Sequence, residues 1–121
     1  MAKILFIEDD TQLVKLYQSI LEDNGFEVMT AQTGDSGLQL ALKEKPDAII
    51  LDIMLPGGLN GFDVLEQLKQ DDRLKQVPVF ILTNLDSEEK VAREIGATEY
   101  IIKAHVDPKQ VVQKIKNSLH L

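Results

Sequence analysis

The sequence has no cysteine among its 121 residues. Without thiols, disulfide frameworks, thiolate nucleophiles and cysteine-ligated zinc are all excluded. Imidazole is scarce too: only His105 and His120 could supply it, and they stand 15 residues apart. Positive charge is in deficit, with 13 Lys and Arg against 20 Asp and Glu, a net charge of −7. A chain of that sign lacks the basic face that sequence-independent binding to nucleic acid or an anionic membrane requires. Long hydrophobic runs are missing as well. The longest span four to six residues, far short of a membrane-crossing helix, and no signal-peptide core follows Met1. What remains is an ordinary globular balance, 44% hydrophobic and 27% charged. The length suits one hydrophobic core, so a single domain over residues 1–121, without an output domain and cytoplasmic in character, is the expectation.

Five short apolar runs punctuate the chain: Ile4–Ile7, Val28-Met29 with its flanks Glu27 and Thr30-Ala31, Ala48–Leu51, Val77–Leu82 and Tyr100–Ile102. They are too short for buried helices and rich in β-branched residues, so they read as strands. Their continuous apolarity predicts strands covered on both faces, as in a parallel sheet. The second run alternates more and suits an edge. Helical spacing fills the gaps. Leu13, Leu16, Tyr17, Ile20 and Leu21 share one face of a first helix, stopped by Asn24-Gly25. Leu38, Ala41 and Leu42 mark a second helix, and Phe62, Leu65 and Leu68 a third. Asp86 and Glu89 have capping-box spacing for a fourth helix over Glu88–Ile95, closed by Gly96. Asp107-Pro108 opens a fifth, with Val111, Val112 and Ile115 toward the core. Five strand–helix alternations predict a doubly wound α/β sandwich with a parallel sheet; in a flavodoxin-like (βα)5 fold, with the order 2-1-3-4-5, strands one and three are central neighbours.

In such sheets ligands bind outside the carboxyl ends of the strands. Glu8, Asp9 and Asp10 follow the first strand, Asp52 the third, Thr83 and Asn84 the fourth, and Lys103 the fifth. Carboxylates brought together repel one another unless a cation sits among them. With only oxygen ligands on offer, Mg²⁺ or another hard divalent ion such as Mn²⁺ fits best. An ammonium and a hydroxyl nearby suit phosphate oxygens, so the set describes a phosphoryl-transfer site with an Asp as nucleophile. Asp10 has a simpler role, as the cap of the first helix.

Ile-Glu-Asp-Asp after the first strand, Leu-Asp-Ile-Met-Leu-Pro-Gly after the third, Ile-Leu-Thr after the fourth and Tyr-Ile-Ile-Lys at the fifth resemble the receiver domain of bacterial two-component response regulators. The resemblance runs through the whole chain in order. It implies that Asp52 is the phosphoacceptor and that Asp9 directly, and Glu8 through water, hold Mg²⁺. Met54 would lend its backbone carbonyl to the metal, Lys103 would bind phosphate, and Thr83 and Tyr100 would be the hydroxyl and aromatic switch residues. Tyr100 on its own has the spacing of a half-exposed strand aromatic, and Thr83 that of a helix-start hydroxyl. The implied partners are a sensor histidine kinase or phosphotransfer protein and a downstream effector, with a phosphorylation-dependent dimer left open.

Two departures from the family stand out. The loop Pro56–Gly61 is one residue longer than usual, and Ala104 stands where the family places a proline in a cis peptide. A cis bond costs roughly 2.5–4 kcal/mol before alanine, so a trans Lys103–Ala104 bond and a reshaped loop are expected, with Lys103 still aimed at Asp52. Two other α/β readings compete. A haloacid-dehalogenase-type aspartyl phosphatase needs a second Asp two residues beyond the nucleophile, where Met54 stands. A flavodoxin-like cofactor binder needs a hydroxyl-rich first loop, where Glu8-Asp9-Asp10 has the wrong charge.

Overall fold

A computed structural model describes residues 1–121. The elements alternate as β1 (Lys3–Ile7), α1 (Thr11–Asp23), β2 (Glu27–Ala31), α2 (Gly34–Glu44), β3 (Ala48–Leu51), α3 (Gly61–Gln70), β4 (Val79–Thr83), α4 (Glu89–Ile95), β5 (Glu99–Ile102) and α5 (Pro108–Ser118). The strands form one parallel sheet in the order β2-β1-β3-β4-β5, as expected, with β2 at an edge.

Both faces of the sheet are covered, which explains the unbroken apolar runs. Leu5, Ile7, Ile49, Leu51 and Ile81 point to one side and meet Ala41 of α2, Val64, Leu65 and Leu68 of α3, and Ala92 of α4. Ile4, Phe6, Ile50, Phe80 and Leu82 point to the other and meet Tyr17 and Leu21 of α1 and Val111, Val112 and Ile115 of α5. Phe6 and Tyr17 pack edge to face with ring centres 5.5 Å apart.

The helix ends follow their local chemistry. Asp10 Oδ1 accepts the Gln12 and Leu13 N–H groups at 3.1 and 3.2 Å, so it caps α1. Gly25 takes a positive φ of 88° just after Asn24 and releases the chain toward β2. Asp107 caps α5, with Pro108 in its first turn.

Four expectations need correction. α4 begins at Glu89, with Glu88 and not Asp86 at its cap position, so Asp86 and Glu89 form no capping box, and Glu88 makes no side-chain cap. β4 begins at Val79, not Val77, because Pro78 has no N–H to give a ladder and the Val77 carbonyl is taken by Lys69 Nζ at 2.9 Å. Leu16 and Leu42 share helical spacing with core residues yet are 48% and 37% exposed. They sit at the margins of their apolar stripes, where a rotation of one residue turns the side chain to solvent.

Lys45 ends α2 with φ 49° and ψ 66°, a left-handed conformation that costs a residue with a Cβ about 1–2 kcal/mol. Replacement by glycine removes that penalty but adds freedom to the unfolded chain. Lys45→Gly is therefore expected to raise stability by about 0.5–1 kcal/mol in denaturant titrations, with no change in the folded-state circular dichroism.

Candidate functional site

The carboxyl ends of the inner strands lie level, and this alignment assembles the site. Ile7 pairs with Leu51, and the Asp52 N–H continues the ladder to the Ile7 carbonyl at 3.1 Å. On the other side of β1, Glu8 N–H donates to the Ala31 carbonyl at 2.9 Å. Glu8 and Asp52 thus leave neighbouring strands at the same height. Both are buried, at 1% and 4% exposure, whereas Asp9 is exposed. One carboxylate oxygen from each of the three lies within 4.8 Å of the others.

Lys103 joins them from β5, across β4. Its Nζ stands 2.8 Å from Asp52 Oδ2 and 2.6 Å from Glu8 Oε1. The other Asp52 oxygen, Oδ1, accepts the Met54 N–H at 3.1 Å. Glu8 Oε2 accepts the Asp10 N–H at 3.0 Å, but Oε1 touches the ammonium off any hydrogen-bonding direction and has no other donor. Burial dominates the behaviour of Glu8 and pushes its carboxyl up to about 7. The Lys103 and Asp10 donors oppose that shift, and the charge on Asp52 adds to it. For Lys103 burial works toward a lower value, but its hydrogen bond to Asp52 and its close ionic contact with Glu8 outweigh it and the net shift is upward. The ammonium therefore stays protonated.

An orphaned, buried carboxylate oxygen beside two further carboxylates is a donor set that suits a hard divalent cation. Glu8, Asp9 and Asp52 are the residues placed to hold one. The Met54 side chain is 61% exposed and lines, with Asp9, an open cleft beside this cluster.

Thr83 is the last residue of β4 and is completely buried. It caps no helix: its Oγ1 accepts the Leu85 N–H at 3.4 Å, four residues before α4 is under way. Tyr100 is 8% exposed rather than half-exposed, because it joins the core facing α4 and its hydroxyl donates to the Leu85 carbonyl. Thr83 and Tyr100 therefore meet at Leu85, one at its N–H and one at its C=O. Every peptide bond is trans, the Lys103–Ala104 bond included. Residues Lys103–His105 form a short 3-10 turn, and Lys103 still reaches Asp52.

One contributor escaped the sequence reading. A Cβ on Gly61 would lie 2.3 Å from the Asp52 carbonyl oxygen and 2.4 Å from Ile53 Cα. The Gly61 N–H also donates to the Ile53 carbonyl at 2.8 Å, so the start of α3 lies directly on the backbone that carries Asp52. Glycine in a Gly-rich loop reads as turn chemistry; its role as a close-approach residue has no local signature.

The response regulator receiver domain family matches residues 4–116, and the chain belongs to it. It is a phosphorylation-dependent signalling receiver of the two-component type, and neither the phosphatase nor the flavodoxin-like alternative is favoured. Among curated proteins it is 40% identical over 118 residues to protein PilH of Pseudomonas aeruginosa, covering 95% of both chains. It is also 40% identical to the alkaline phosphatase synthesis transcriptional regulatory protein PhoP of Bacillus subtilis, covering 94% of this chain but 47% of that protein. Among solved structures, a CheY-like receiver domain protein from Methanospirillum hungatei superposes with a TM-score of 0.90 at 31% identity, covering 99% of this chain and 94% of that one. The BeF3-activated receiver domain of Klebsiella pneumoniae RstA gives 0.86 at 33% identity, covering 98% and 99%. Receiver domains of this family are signalling domains that take phosphoryl groups from kinases or phosphodonors and carry an acidic Mg²⁺ pocket.

Adding one methyl group at Gly61 must push the Asp52 backbone or the first turn of α3, because the opposing atoms are main chain. Gly61→Ala is expected to cost about 1–3 kcal/mol of stability in denaturant unfolding, the usual range for overpacking. It should also shift the backbone amide resonances of Asp52 and Ile53 more than those of β2.

Proposed function

We propose that Asp52 is the phosphoacceptor, that Glu8 and Asp9 hold Mg²⁺ or Mn²⁺ with it, and that Met54 lends a backbone carbonyl to the ion. The observation that carries this reading is the single Lys103 ammonium lying against both buried carboxylates, Asp52 and Glu8, at the sheet's carboxyl edge. An Asp52 oxygen attacks the donor phosphorus and forms a new O–P bond. The bond from phosphorus to the donor's leaving atom breaks, and its electron pair departs with the donor, a sensor histidine kinase, phosphotransfer protein or small acyl phosphate. Lys103 holds its ammonium against the incoming phosphoryl oxygens, and the Met54 N–H orients the carboxylate. A bound divalent ion supplies charge neutralisation for those oxygens.

Phosphorylation adds about −1.5 to −2 charges, by analogy with other phosphoresidues. The Thr83 hydroxyl has a proton to donate to the new oxygens, and any movement of its loop is felt by Tyr100 through the shared Leu85. Thr83 and Tyr100 are thus the switch pair, and the face around α4 and β5 is the output surface. Residues 1–121 act together in this as one receiver, catalysing only the gain and loss of their own phosphoryl group.

Incubation with acetyl phosphate and Mg²⁺ should add one phosphoryl group to the intact mass. The gain should vanish in Asp52→Asn, in Asp9→Ala and without metal. Asp9→Ala should fold as well as the wild-type chain or better, since it removes like charge from the cluster. Normal phosphorylation of Asp9→Ala would overturn the metal assignment.

The phosphorylated state should be long-lived. Met54, Leu85 and Phe62 line, with Asp9, a cleft of about 600 Å³ at the site. Hydrolysis needs a water aligned on phosphorus opposite the Asp52 oxygen, and the Met54 and Leu85 side chains offer it no hydrogen bond. Met54→Asn or Leu85→Gln is expected to shorten the half-life of the phosphorylated protein several-fold. An unchanged or lengthened half-life in both would contradict this account.

A further inference from the structure

Residue 104 differs chemically from a proline in one more way than its peptide isomer: alanine has an N–H to donate. The structure gives that donor a partner in the neighbouring loop. Ala104 N–H lies 3.2 Å from Asn84 Oδ1, twenty residues earlier in the chain. Asn84 immediately follows Thr83 at the end of β4, and Ala104 immediately follows Lys103 at the end of β5. β4 and β5 are themselves paired in register up to Thr83 and Ile102. One side-chain hydrogen bond therefore extends the β4–β5 ladder beyond the last paired residues, at the level where Lys103 leaves for Asp52.

The consequences reach both sides of the site. Lys103 begins a 3-10 turn of three residues, a short element whose i→i+3 bonding is weak on its own. Its side chain has to cross β4 to meet Asp52 and Glu8, so the direction of that turn decides where the ammonium lands. On the other side, Asn84 lies between Thr83 and Leu85, the residue whose main chain meets the Thr83 and Tyr100 hydroxyls.

We propose, building on the reading of Asp52 as phosphoacceptor, that Asn84 is a positioning residue that clamps the Lys103 turn to the Thr83 loop through the Ala104 N–H. Lys103 and Thr83 then close on the phosphoryl group as one unit rather than independently. The clamp replaces, with a hydrogen bond, rigidity that a proline at residue 104 would have supplied through its ring. Asn84 touches no reacting atom in this role and acts only through Lys103.

Three variants separate this from a merely structural effect. Asn84→Leu keeps the size and loses the acceptor; Asn84→Asp keeps an acceptor oxygen; Ala104→Pro removes the donor. Amide hydrogen exchange at Ala104 reads the clamp directly, and the rate of phosphorylation by acetyl phosphate at saturating Mg²⁺ reads its effect on Lys103. In Asn84→Leu both should change, exchange rising and phosphorylation slowing by roughly two- to tenfold, the worth of one net hydrogen bond. Asn84→Asp should retain the slow Ala104 exchange. Asn84→Leu combined with Ala104→Pro should phosphorylate no more slowly than Ala104→Pro alone, because the two single changes remove the same bond. Unchanged Ala104 exchange in Asn84→Leu, or additive losses in the double variant, overturn the clamp. Faster exchange with an unaltered phosphorylation rate overturns its positioning role. A wild-type chain that gains no phosphoryl group at all overturns the reading of Asp52 instead, and the exchange comparison still decides whether the clamp exists.

Discussion

The organising constraint of this molecule is a single ammonium held between two buried carboxylates. Lys103 meets Asp52 at 2.8 Å and Glu8 at 2.6 Å, and both acids are almost wholly removed from water. Two buried negative charges and one positive charge leave the cluster short of compensation, because desolvation penalises each charge and only one cation answers. Glu8 shows the shortfall, pushed up to about 7 by burial and left with an oxygen that meets only the Lys103 ammonium, without a hydrogen bond. A site in this state favours arrival of further positive charge, which fits the acidic Mg²⁺ pocket of receiver domains.

Everything else in the fold serves to bring three distant stretches of chain to that point. β1 and β3 are neighbours only because the connection through β2 and α2 returns to the far side of β1. Their register then places Glu8 and Asp52 level with each other. β5 is two places away from β3, roughly 10 Å at the usual strand spacing, a gap that the long Lys103 side chain closes together with that of Asp52. The close seat of Gly61 against the Asp52 carbonyl adds support, since any side chain there would displace the Asp52 backbone.

The two loops at the β4 and β5 ends are coupled more closely than their sequence separation suggests. Thr83 and Tyr100 share Leu85, and Asn84 and Ala104, in the loops that follow β4 and β5, share a hydrogen bond. The strand ends that carry Thr83 and Lys103 therefore also carry the contacts of Leu85 and Asn84. Tyr100 is packed into the core on the α4 side, so its hydroxyl reaches the Leu85 carbonyl from within.

The order of elements, the parallel sheet and the residues at its carboxyl edge were legible in the sequence. Strands buried on both faces must be continuously apolar, and Asp10, Asn24-Gly25 and Asp107-Pro108 act on their own neighbours. Asp52, Glu8, Asp9 and Lys103 could be singled out because polar residues directly after such strands have few other places to go. Tertiary structure alone decided the rest. Whether Leu16 and Leu42 face core or water depends on the rotation of α1 and α2 against the sheet, which periodicity leaves uncertain by one residue. Asp86 and Glu89 have the spacing of a cap without the helix turn that would use it, and only the backbone path into α4 decides that. The depth of Tyr100, the contact of Gly61 with Asp52 and the bond from Ala104 to Asn84 all join residues far apart in the chain. Their partners are chosen by strand order and register, and no local pattern of residues records that choice.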